Sequence, residues 1–111
     1  MNQTLQQIHS MLLAQHNALA QLLDSETDPD KAKAILMEMQ EILHRIDLVQ
    51  NLLFTESSKQ LDKTLHGIQQ ANDALTQSLD SIDDISAFLS ASTKFLASVD
   101  QAIDLAKTLA V

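Results

Sequence analysis

Apolar residues recur along this chain at helical spacing from its first positions onward. Leu5, Ile8, Leu12, Leu19 and Leu22 stand at alternating three- and four-residue steps, with Gln15 in the one place where an apolar residue is due. That period predicts an amphipathic helix over residues 2–23. Leu13 and Leu23 widen its stripe. Its polar face is Gln, Asn, Ser and His, and residues 2–23 contain no Asp, Glu, Lys or Arg.

A break follows at residues 24–30, where Asp28 is a good N-cap and Pro29 suits the first position of the next helix. A second helix is predicted over residues 29–53. Its seam is Ile35, Met39, Ile42, Ile46, Val49 and Leu53, again in alternating steps of four and three. Leu36 and Leu43 flank the seam and make the stripe wide enough to face more than one neighbour. Residues 55–58 then offer caps, with Ser57 and Gln60 at capping-box spacing.

The remainder, residues 58–109, has no proline and only Gly67. Leu61, Ile68, Leu75, Ile82, Leu89, Leu96 and Ile103 recur every seven residues. The accompanying positions change partway. Leu65, Asn72 and Leu79 give way to Ser86, Thr93 and Asp100, and the apolar flank moves to Ile85, Phe88, Phe95, Val99, Ala102, Ala106 and Leu109. The unbroken phase favours one helix of about 50 residues, roughly 75 Å long. The alternative is a turn near residues 80–84, with Ser81 as N-cap and Asp83 and Asp84 in the first turn, which makes a four-helix bundle.

The expected fold is therefore a single all-α domain over residues 1–111. It is an antiparallel bundle of two shorter helices and one long C-terminal helix, with the four-helix bundle as alternative. Two short helices cannot cover a long one, so its second half needs another chain. The surface expected to meet that chain is Ile85, Phe88, Phe95, Val99 and Ile103, with the two phenylalanines as anchors. The partner is a second copy, giving a homodimer, or another protein.

Charge narrows the partners. Seven basic residues against fifteen acidic ones leave a net charge of −8, which opposes phosphate recognition and anionic membrane surfaces. A basic or a neutral apolar protein surface fits better, and no nucleic acid is expected. There is no run of 18 apolar residues and no cationic, apolar leader, so neither a membrane span nor a signal peptide is expected. The absence of cysteine removes disulfides and thiol chemistry and fits a reducing, cytoplasmic compartment.

Candidate chemistry is thin. Glu41 and His44 have the Glu-x-x-His spacing used in di-iron bundles, where such ligands project inward. With Ile42 and Ile46 on the seam, both fall on the solvent side, so no metal or cofactor is expected. His9 and His16 lie beside the first seam, as a pH-sensitive contact or as half-exposed polar residues. Asp62 with His66, Asp100 with Asp104, and Asp104 with Lys107 stand at pairing distance along a helix. None has a nucleophile beside it. Asp80, Asp83 and Asp84 serve either a basic partner or a helix start. Asn72 either fixes register or sits at a wet edge. One glycine leaves no phosphate-binding loop.

These readings converge on a non-catalytic helical interaction module, a chaperone, adaptor or inhibitor acting through apolar helix faces. A charge-free first helix is cheap to desolvate in such a contact. A self-assembling structural subunit is the second expectation, and a metal-binding bundle enzyme the third.

Overall fold

The computed structural model describes residues 1–80 and 82–110. Four helices occupy about 85% of it and no strand is present among the described residues. They are α1 (Gln3–Ser25), α2 (Pro29–Leu52), α3 (Lys59–Leu79) and α4 (Ile85–Leu109). The all-α bundle is as expected. The long C-terminal helix is not formed: the chain turns between Leu79 and Ile85, and α4 runs back along α3.

Each helix starts on a side-chain cap. Asn2 accepts from the Leu5 amide at 3.0 Å, and Asp28 accepts from the Asp30 amide at 2.9 Å with Pro29 leading α2. Ser58, one residue after the expected Ser57, accepts from the Leu61 amide at 3.0 Å. Asp84 accepts from the Ala87 amide at 3.2 Å. Each cap satisfies one of the amides that a helix start leaves unpaired. Ser81, the cap read from the sequence for α4, lies outside the described residues. The turn therefore needs neither glycine nor proline. Asp84 restarts the helix, and the enclosure of α4 stabilises the reversal.

The bundle is two hairpins laid together. α1 packs antiparallel to α2, α3 packs antiparallel to α4, and between hairpins α1 neighbours α3 while α2 neighbours α4. The polar ties show the directions. The Asn2 amide donates to the Leu53 carbonyl at 2.9 Å, joining the start of α1 to the end of α2. The Thr4 hydroxyl donates to Asp62 at 2.6 Å, joining the starts of α1 and α3. α1 and α3 are thus parallel, as are α2 and α4, and the 53–58 link crosses from one hairpin to the other.

Of the four neighbouring pairs, α3 and α4 pack most closely and α1 and α3 most sparsely. Small residues explain the first. Ala71 and Ser78 of α3 lie on the side away from the α1-facing Asn72, and Ala91, Ser98 and Ala102 of α4 lie on the side away from the α2-facing Asp100. Short side chains let the two backbones approach closely.

The core contains Leu5, Ile8, Leu12 and Leu19 from α1 and Ile35, Ile42, Ile46 and Val49 from α2. α3 contributes Leu61, Ile68 and Leu75, and α4 contributes Phe88, Phe95, Val99, Ala102 and Ala106. Burying each of the larger side chains stabilises by roughly 1.5–3 kcal/mol. The seven-residue line holds through α3 and then drifts. Leu75 and Leu96 are buried, Ile82 is half-buried, and Leu89 is 38% exposed. α4 turns the Phe88 and Phe95 line inward beside it, and the seven-residue line, displaced around the turn at Ile82 and Leu89, re-enters the core at Leu96 and Ile103.

Candidate interaction face

The five residues expected to meet another chain are placed by the turn among the chain's own helices. Phe88, Phe95 and Val99 have no exposed surface, Ile103 is 2% exposed, and Ile85 is half-buried. With α4 folded back, the apolar surplus that called for a second chain is taken up within one. The physical reason is the turn at 80–84, which gives α4 both α3 and α2 to lie against.

Glu41 and His44 are both exposed, and Glu41 accepts from Arg45 at 2.8 Å. Among the described residues no three His, Asp or Glu side chains converge as a metal site. Arg45 also bridges α2 to α4 with two bonds to Asp100, at 2.8 and 3.0 Å. Burial of the guanidinium opposes its charge, but the bonds from Asp100 and Glu41 outweigh that and raise its pKa above the ordinary arginine value. Asp100 is thus engaged by Arg45, and Asp62 by Thr4. In the second acidic cluster Asp84 caps α4 and Asp83 lies 3.6 Å from Lys31.

The α1–α3 seam carries the polar layer. The Gln15 amide group donates to Asn72 Oδ1 and to the Thr76 hydroxyl, both at 2.8 Å. Gln15 is buried and its Oε1 has no partner. Asn72 is therefore a half-buried, hydrogen-bonded residue at a helix contact. On either side of this layer the seam opens into shallow hollows. One is lined chiefly by Gln3, Gln6, Gln7 and Gln69, the other by Ala18, Leu22 and Leu79. His9 and His16 are half-buried beside α2, and His9 Nε2 is enclosed without a hydrogen-bond partner.

One apolar surface left open is the outer face of the α1–α2 hairpin. One residue turns a helix by about 100°. Gln15, about 60° to one side of buried Leu12, faces α3; Leu13, about 100° to the other, therefore faces out beside α2. Arg45, about 60° to one side of buried Ile42, faces α4. Leu43 and Leu36, about 100° and 120° to the other, face out beside α1. The Asn2–Leu53 bond sets the levels: Leu13 is eleven residues on from Asn2 and Leu43 ten residues back from Leu53. The two stand at about the same height.

Leu13, Leu36 and Leu43 are 42%, 45% and 50% exposed, so each keeps roughly half its surface in water on one continuous face. By the same rotation Ala20 and Gln50 share it. Asp47 stands at its α2 rim, and Asp24 and Lys33 lie past Leu36 toward the α1–α2 turn. Phe54, 82% exposed, stands at one end of the hairpin in the link to α3. The sequence reading marked Leu13, Leu36 and Leu43 as broadening their stripes and gave Leu36 and Leu43 a further neighbour to face. The signal that separates them is their angle from the buried line, read together with the side on which the next helix packs.

No protein-family model matches this chain, and no curated protein or solved structure is significantly similar to it. No helix among the described residues is long and apolar enough to cross a membrane.

Proposed function

We propose that this chain is a non-catalytic helical interaction module that docks a protein partner on the outer face of its α1–α2 hairpin. The observation that carries the reading is the half-exposed set Leu13, Leu36 and Leu43 on one face, built on a helix with no charged residue before Asp24. Scattered exposed leucines are ordinary; three on one face, beside uncharged polar neighbours, are cheap to desolvate and gain from being covered. Chaperones, adaptors and inhibitors all act by such contacts. The metal-enzyme alternative draws no support from the outward, Arg45-paired Glu41.

Site-specific photocrosslinking tests the reading. A photoreactive residue replacing Leu13 or Leu43 should give a discrete heavier adduct in cells, and one replacing Gln77 on exposed α3 should not. Adducts from all three positions, or from none, would sink it. An adduct of twice the chain's own mass would select the self-assembling alternative.

A further inference from the structure

We infer that the occupant of the α1–α2 outer face is a cationic amphipathic helix of a partner protein. This rests on the docking reading above and adds the partner's chemistry. Three observations converge. The first is shape. The face is a strip over the groove between two helices, and from Leu36 to Leu52, the end of α2, it runs seventeen residues, about 25 Å. A single helix of four to five turns laid along the groove would cover Leu13, Leu36 and Leu43 from apolar positions at i, i+3, i+4 and i+7.

The second is charge. Asp47 rims the strip on the α2 side, and Asp24, Glu26, Asp28 and Glu56 stand at its two ends. Of the cations of α2, Lys31 and Arg45 pair with Asp83 and Asp100 on the α4 side, and Lys33 lies about 60° beyond Leu36, toward the α1–α2 turn. A partner helix with Lys or Arg flanking its apolar stripe meets five acids at the rim and ends against the single cation Lys33. Such complementarity raises association rate and excludes acidic competitors.

The third weighs against a second copy. Two chains of net charge −8 would bring the same acidic rim against itself. Three half-exposed leucines also fall well short of the roughly 800 Å² per partner that a standard stable interface buries. A lone helix needs less.

The probes are three labelled synthetic peptides of 18 residues. One carries leucines at amphipathic spacing with flanking lysines, one has the same leucines with flanking glutamates, and one is the lysine peptide with its leucines scrambled. Binding is read by fluorescence anisotropy and mapped by amide chemical shifts on the isotope-labelled full chain. The lysine peptide should bind at least tenfold tighter than either control and weaken at least tenfold between low and high salt. It should shift amides around Leu13, Leu36 and Leu43. The double variant Leu13→Gln, Leu43→Gln, both at half-exposed positions, should lose at least tenfold in affinity while keeping its circular dichroism.

Equal binding of the lysine and glutamate peptides at this face would overturn the cationic partner and leave the docking face standing. Equal binding of the scrambled peptide, shifts confined to the acidic ends, or no binding by any peptide would overturn the inference. Concentration-dependent dimerisation abolished by the double variant would overturn it in favour of a second copy.

Discussion

Replacing Phe95 with Asp separates the two architectures that the pattern allows. Phe95 has no exposed surface and lies among the side chains of the folded-back bundle. Truncating a buried Phe costs about 3–5 kcal/mol. Leaving a carboxylate there adds a desolvation penalty of several kcal/mol, because Phe95 is on the inward line of α4 and no cation shares it. The sum is at least about 6 kcal/mol. The whole stability of a domain this size is about 5–15 kcal/mol. The variant should therefore lose most of its helical signal at 222 nm, at every protein concentration. The milder Phe95→Ala should stay folded, with its urea midpoint lower by about 2 M for a slope near 2 kcal/mol per molar. Sedimentation velocity on the same samples completes the assay. A Phe95→Asp chain that keeps its helices and changes only from dimer to monomer would refute the enclosure of α4 and restore the long helix.

Other outcomes follow from the packing. Leu75→Ala should destabilise by about 2–5 kcal/mol and Leu89→Ala by less than about 1 kcal/mol, since Leu89 is well exposed; chemical denaturation giving equal losses would mean the seven-residue line does run through the core. Asn2→Ala removes a helix cap and the bond from Asn2 Nδ2 to the Thr55 carbonyl, so it should cost about 1–2 kcal/mol; a neutral result in thermal melts would show that the start of α1 is frayed. Replacing both Gln15 and Asn72 with Leu should leave stability unchanged or raise it, because Gln15 Oε1 is buried without a partner. The same change should loosen the α1–α3 register, seen as broadened amide resonances along that seam, and a loss of more than about 2 kcal/mol would contradict this account.

Much of the candidate face was visible in the chain before the fold was known. Leu36 and Leu43 stand off the Ile35 and Ile42 line, and the lack of charge in α1 is plain from its letters. Whether such flanking leucines are covered depends on which side the neighbouring helix takes. Hydrophobic period gives an angle around one helix and says nothing of what stands at that angle.

The sequence by itself determined the helical class, the inward lines of α1, α2 and α3, and the start of α2 at Asp28 and Pro29. These are local consequences: side-chain spacing sets a helix's apolar face, and a cap or a proline sets its start. Only the tertiary structure decided that the chain reverses between Leu79 and Ile85, that Phe88 and Phe95 face inward within one chain, and that Leu89 slips to the edge. A seven-residue count runs through a five-residue turn as easily as through a helix, and the Asp and Ser residues there suit a helix surface and a cap alike. The reversal forgoes a few backbone hydrogen bonds of the continuous helix, several of which Asp84 and the helix ends recover. In return it encloses Phe88, Phe95, Val99 and Ile103, and burying four such side chains outweighs that loss.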